Sequence, residues 1–202
     1  MLQLDFLRHG ETTLSHTLRG STDDALTSVG WVQMQETLTQ AVASGLRWDV
    51  IFTSPLQRCL VFAQAWAEQQ KLPLIVNEHL PEMHFGDWEG QSTEKIYQKM
   101  PVLLANFWQF PSRFSAPNGE CLQAFQQRIN LALQQMTQHM QTQQWKHALV
   151  IGHGGVIKLL KCQSLQQPLD DLLKMSAALG TLHHFEYDEE NLNLSITAST
   201  SA

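Results

Sequence analysis

The sequence predicts an α/β fold, a mostly parallel sheet with helices on both faces. Two observations carry this. Short apolar runs of strand character alternate with longer segments of helical period. Two of those runs, "DFLRHGET" (residues 5–12) and "LVIGHGG" (149–155), stop at the same pair, His-Gly, although they lie far apart in the chain. Open α/β sheets bind ligands beyond the carboxyl ends of their strands, so the two stops mark one candidate site.

The elements follow in order. "LQLDFL" (2–7) reads as a first strand, and residues 28–45 read as a helix with Val32, Gln35, Leu38 and Val42 near helical spacing and Gly45 as its stop. "WDVIFTSP" (48–55) is a strand halted by Ser54-Pro55. The helix after it places Leu56, Leu60, Ala63 and Ala67 on one face. "LPLIVN" (72–77) is a further strand. Residues 80–118 break the alternation with four prolines and several aromatics, and read as an insertion forming a lid or wall within one domain spanning 1–202. Asn118 is a candidate cap for a long helix whose buried stripe is Leu122, Phe125, Ile129, Leu133, Met136 and Met140. "LVI" (149–151) is a short apolar strand, and "VIKLLKC" starts a helix after the second His-Gly. Pro168 opens a helix over "PLDDLLKMSAAL", and residues 181–188 and 192–198 close the chain as a hairpin.

Composition limits the functions open to this chain. With 202 residues, 43% apolar and 16% charged, it reads as globular. A formal charge of −6 argues against nucleic acid or an anionic membrane as the main partner, but not against a small anion facing a local arginine cluster. No apolar run approaches the roughly 18–20 residues of a spanning helix, and no signal peptide is visible. Cys59, Cys121 and Cys162 are odd in number and form no CxxC pair, so free thiols in a cytoplasmic setting are expected. The histidines lack metal-ligand spacing, and neither a metal nor another cofactor is expected.

Three strand ends supply the chemistry. The first delivers Arg8 and His9. The strand ending at Ser54-Pro55 delivers Arg58, and the strand at 149–151 delivers His153 with Gly154 and Gly155 opening a helix. If these strands are neighbours, two guanidinium forks and two imidazoles converge. Forked donors, glycine backbone and a helix N-terminus together suit a phosphoryl group. A neutral imidazole there is also a nucleophile, and a phosphohistidine splits hydrolysis into two steps. Glu82, in "LPEMHFGDWEG", is the leading proton donor, with Asp87 and Glu89 as nearby competitors.

In this order and spacing, "LRHGET", "DVIFTSPLQR", "LPEMHFGDWEG", "PNGE" and "VIGHGGVIK" resemble the motifs of the histidine phosphatase, or phosphoglycerate-mutase-like, superfamily. The resemblance implies a three-layer α/β/α sandwich and a metal-independent phosphomonoesterase. It also implies His9 as nucleophile, Arg8, Arg58, His153 and Gly154 around the phosphoryl group, and Glu82 as proton donor. Ser15, Arg19 and Gly20 fall where substrate contacts are candidates. The chain departs from the family pattern at three points: Ser15 replaces a frequent Asn, Cys121 a frequent Ser, and Lys158 a frequent Arg. Its length, "LRGSTDDALTSVG" and "FGDWEG" are most similar to the family's α-ribazole-5′-phosphate phosphatases, of cobalamin assembly. Mutase, sugar-phosphate phosphatase and non-catalytic phospho-ligand binding are the alternatives. A small phosphomonoester is the expected partner, and the sequence does not define an oligomeric state.

Overall fold

β1 (Leu2–Arg8) shows how the layers arise. Leu2, Leu4 and Phe6 point to one face of the sheet, Asp5 and Leu7 to the other, as the two-residue period of a strand requires. β2 (Val50–Thr53) and β4 (His147–Gly152) repeat this: Val50, Phe52, Ala148 and Val150 join the first core, Ile51, Leu149 and Ile151 the second. Both faces are apolar, so both need a helical cover. α1 (Ser28–Ala43) and α2 (Gln57–Gln70) cover one face; α5 (Leu122–Gln143) and α6 (Gly154–Ser164) cover the other. The result is the three-layer α/β/α arrangement, seen here in a computed structural model that describes residues 1–191 and 193–197.

The remaining elements are β3 (Leu74–Val76), α3 (Thr93–Lys99), α4 (Pro101–Gln109), β5 (Leu182–Asp188) and β6 (Asn193–Ile196), with 3-10 turns at Gly86–Trp88 and Leu169–Lys174. The sheet order is β3-β2-β4-β1-β5-β6. β3, β2, β4 and β1 run parallel, and β5 and β6 form the antiparallel closing hairpin. Of the strand expected at 192–198, residues 192 and 198 lie outside the described residues.

β2, β4 and β1 are immediate neighbours, in register at their carboxyl ends: Thr53 pairs with Ile151, and Arg8 with Gly152. The next residues along the three strands are Ser54, His153 and His9. The convergence expected from the sequence is therefore built into the sheet.

Four expectations need correction. The buried face of α1 is Gly30, Met34 and Leu38, while Val32 is half exposed. Gly30 is buried because α1 lies directly on the Gly10 turn, where a Cβ on Gly10 would come 2.1 Å from the Gly30 carbonyl oxygen. α2 buries Ala63 and Ala67 as expected, but together with Cys59, Phe62 and Trp66 in place of Leu56 and Leu60. Asn118 does not cap α5. It adopts a left-handed φ of 57° in the preceding turn, and Cys121 occupies the cap position. The helix expected after Pro168 closes after one short 3-10 stretch. The long α5 stripe, by contrast, is buried at every expected position. Among the described residues no helix is long and apolar enough to cross a membrane.

Candidate active site

His9 follows β1 directly and is 3% exposed. Its Nδ1 lies 2.8 Å from the Gly10 carbonyl oxygen, which can only accept, so Nδ1 carries the proton. Nε2 is left with its lone pair. Burial, reinforced by the charges of Arg58, Arg8 and Arg19, pushes the imidazolium down to a pKa of about 3, although the Gly10 bond works the other way. His9 is thus a neutral imidazole with a free nitrogen.

His153 stands edge-on to it, ring centres 5.4 Å apart. It is completely buried. Arg58 Nε donates to its Nδ1 at 3.3 Å, so Nε2 carries the proton and donates to Ser54 Oγ at 2.7 Å. Burial, with the surrounding cations, holds His153 well below the ordinary imidazole range. Arg58 is equally buried. Besides His153 it donates to the Thr22 carbonyl at 2.6 Å, the Gly20 carbonyl at 2.7 Å and Asp24 Oδ1 at 3.0 Å. Four of its five N–H groups are thereby engaged, leaving one on Nη2. Arg58 and His153 therefore stand behind the cavity rather than on its surface, which the sequence alone did not anticipate. Cys59, 3.7 Å from His153 Nε2, has its thiol pushed up to about 12 by burial and is no nucleophile.

The open cavity, of about 230 Å³, is floored by Arg8, His9, Glu82, Gly154 and Gly155. Arg8 donates to the Ala177 carbonyl, and its buried Nε has no partner. Glu82 Oε2 accepts from the Gly155 N–H at 2.8 Å, at the start of α6, and Oε1 from the Met83 N–H at 3.0 Å. A Cβ on Gly155 would lie 2.2 Å from Glu82 Oε1. Of the glycines next to the two histidines, Gly10 admits α1, where the sequence suggested that it admits a phosphate, whereas Gly154 lies on the cavity against the Arg8 guanidinium, and the following Gly155 admits the Glu82 carboxylate.

The competing carboxylates are otherwise engaged. Glu89 accepts from the backbone N–H groups of Gly20, Ser21, Thr22 and Phe85, all near 3 Å, and from the Thr22 hydroxyl. Burial alone would raise its carboxyl, but these bonds outweigh that and hold it below the ordinary range. Asp87 is held by Asn118 Nδ2. Glu89 is therefore the knot that ties the 20–22 loop to the 83–89 segment.

Arg19 lines the cavity and pairs with Asp24 Oδ2 at 3.1 Å. Ser15 and Gly20 do not line it. Ser15 Oγ accepts from the Thr12 N–H at 2.9 Å, and Gly20 docks against Met83 while its carbonyl holds Arg58. Asp24, 5% exposed, joins Arg19 to Arg58 and was missed in the sequence. Its only signal there is the loop "STDD", which also supplies Asp23 to the start of α2 through the Gln57 N–H. Lys158 also faces the cavity. An apolar wall completes it, including Leu18, Phe85, Phe107, Phe125, Leu172 and Leu173. Among the described residues no cluster of His, Cys, Asp and Glu is arranged to hold a metal ion.

An uncharged imidazole nitrogen beside guanidinium groups, a helix start and a carboxylate defines a site for phosphoryl chemistry on an α/β sandwich. The chain belongs to the histidine phosphatase superfamily (branch 1), which it matches over residues 4–199. It is a phosphatase of that family. It is 29% identical to the adenosylcobalamin/alpha-ribazole phosphatase of Escherichia coli over 174 residues, 84% of this chain and 82% of the relative. It is 25% identical to phosphoserine phosphatase 1 of Hydrogenobacter thermophilus over 203 residues, 98% of this chain and 93% of the relative. The solved structure of YhfR from Bacillus stearothermophilus superposes with a TM-score of 0.87 at 26% identity, covering 100% of this chain and 98% of that one.

Proposed function

We propose that the protein hydrolyses a small phosphomonoester through a phosphohistidine on His9. The observation that carries this is the tautomer: the Gly10 carbonyl holds the proton on Nδ1 and leaves the Nε2 lone pair free, on a residue that lines one cavity with Arg8 and Glu82. Nε2 forms the N–P bond as the P–O bond to the alcohol breaks, and Glu82 gives its proton to the departing oxygen. Water then attacks phosphorus, its proton passes to Glu82, and the N–P bond breaks to release phosphate. Arg8 and the uncommitted N–H of Arg58 hold phosphoryl oxygens, with Gly154 beside them at the start of α6. A phosphoryl oxygen competes with Ser54 for the His153 Nε2–H. Preorganised charge of this kind does most of the work in phosphoryl transfer.

The substrate we favour is α-ribazole 5′-phosphate. The relative named for that activity supports it, as does the aromatic wall of Phe85, Phe107 and Phe125, which suits a flat apolar ring. Met83, Phe85, Phe107 and Pro111 bring the 80–118 insertion onto the cavity, consistent with a wall over the leaving group. Two measurements test this. Acid quench during turnover should trap an acid-labile phosphoenzyme that maps to His9 and is absent in His9→Ala; label on another residue overturns the mechanism. A panel of α-ribazole 5′-phosphate, phosphoserine and sugar phosphates, with a mutase assay, tests the substrate. No turnover of any ester by the wild type would indicate a binding module instead.

A further inference from the structure

We propose that Lys158 is a specificity-determining residue: its ammonium holds an oxygen acceptor on the alcohol half of the substrate, close to the ester oxygen. The inference rests on the phosphomonoesterase reading above and extends it to the leaving group.

Lys158 lies one turn beyond Gly154 and Gly155 on α6. Residues at that spacing share a helix face, and all three line the cavity. The other cations of the site are tied to protein. Arg19 is held by Asp24 and by the Leu14 and Thr17 carbonyls; Arg58 by Asp24, Thr22, Gly20 and His153; Arg8 by the Ala177 carbonyl. Among the described residues Lys158 has no hydrogen-bond or ion-pair partner. It is nonetheless half-buried, and burial together with Arg8 lowers its ammonium below the ordinary range while Glu82 pulls the other way. A partly desolvated ammonium with three uncommitted donors is costly until an acceptor arrives.

Its position says which part of the substrate brings that acceptor. The 3-10 turn Leu169–Lys174 packs on α6 and sends Leu172 and Leu173 into the same cavity. Lys158 therefore stands where the charged floor of Arg8, Glu82 and Gly155 gives way to the apolar wall. With phosphorus at His9, that boundary falls to the alcohol. The substrates selected are phosphomonoesters whose alcohol combines an apolar body with a hydroxyl, ring oxygen or carboxylate near the ester. A sugar and a carboxylate-bearing alcohol both supply this chemistry.

The test compares kcat/KM of wild type, Lys158→Met and Lys158→Arg on three esters: phenyl phosphate, which has no such acceptor, ribose 5-phosphate, and phosphoserine. A charged hydrogen bond removed from one side predicts about a ten- to hundredfold greater loss in Lys158→Met on an acceptor-bearing ester than on phenyl phosphate. Lys158→Arg should recover most of the preference. The larger loss on ribose 5-phosphate identifies a neutral oxygen, and on phosphoserine a carboxylate. Equal losses on all three esters make Lys158 a phosphate ligand and overturn the proposal, as does no loss on any. Wild-type turnover of phenyl phosphate tests the phosphomonoesterase reading by itself, and its absence on all three esters overturns both.

Discussion

Replacing Gly155 with Ala tests the proton donor without touching the nucleophile. A Cβ at this position would lie 2.2 Å from Glu82 Oε1, 3.0 Å from its Cδ and 3.2 Å from Oε2, and these are its three nearest neighbours. A relaxed carbon–oxygen contact needs roughly 3.3 Å, so the carboxylate must retreat by about 1 Å. That stretches the 2.8 Å bond from the Gly155 N–H beyond hydrogen-bonding range. A displacement of about 1 Å at a reacting group costs about a hundredfold in rate. Stability should change far less. The lost bond to a charged group is worth about 1.5–3 kcal/mol, and the helix gains about 1 kcal/mol from Gly→Ala. The assay compares 4-nitrophenyl phosphate, whose phenolate departs with little help, with an alkyl phosphate, whose alkoxide needs a proton. Gly155→Ala should lower kcat/KM about a hundredfold on the alkyl ester and less than about tenfold on the nitrophenyl ester. Equal losses would point to damaged phosphate binding. Undiminished alkyl ester turnover would refute Glu82 as the proton source.

Other perturbations address the frame of the site and its pH response. Asp24→Ala leaves Arg58 and Arg19 buried without their shared carboxylate, and should lower unfolding free energy by about 3–5 kcal/mol in denaturant titration; a change under about 1 kcal/mol would deny the pair that role. With its pKa near 3, His9 remains neutral through mildly acidic pH, so protonation of the nucleophile should not lower kcat/KM until about pH 4. An NMR titration of the His9 imidazole with its inflection near the ordinary 6.5 would contradict this. Away from the site, Asp5 accepts from Trp48 at 2.8 Å, His147 at 2.8 Å and His184 at 2.6 Å. Burial raises its carboxyl, but the two imidazoles outweigh it and bring the pKa from 3.8 to about 2. A depressed folded value gives stability that is complete above 3.8 and lost as pH falls toward 2, about 2.5 kcal/mol at about 1.36 kcal/mol per unit. His184, raised chiefly by its bond to Asp5, contributes in the opposite sense: its share is full below 6.5 and lost as pH rises through its higher folded value. Stability of wild type and Asp5→Asn measured against pH should therefore converge at the acid end.

How much of the fold was legible depended on how many residues repeat one signal. α5 carries its period through 22 residues, and every stripe position lies in the core. α1 is shorter and its decisive contact is a glycine. Hydrophobicity assigns Val32 to the core, yet the close approach of Gly10 and Gly30 turns Met34 and Leu38 inward and leaves the valine outside. The expected Asn118 cap failed for a related reason. A residue suited to caps is equally suited to a left-handed turn, and here it takes the turn.

The site divides along the same line. His9, Arg8 and His153 were legible because strand ends place them, and β1, β4 and β2 are neighbours in the sheet. What the sequence could not show is which side chains face the cavity and which hold others in place. That is decided by loops meeting across the fold. Asp24 reaches Arg58 across 34 residues, Glu89 reaches Gly20 across 69, and Gly155 reaches Glu82 across 73. No local pattern encodes such pairings. They determine that Glu89 is a structural tie while Glu82 reaches the helix start beside Arg8. They also leave Arg58 with a single N–H to offer. A phosphoryl group at His9 would therefore meet Arg58 and Glu82 already fixed by protein bonds, the condition under which electrostatic stabilisation needs no reorganisation at the moment of reaction.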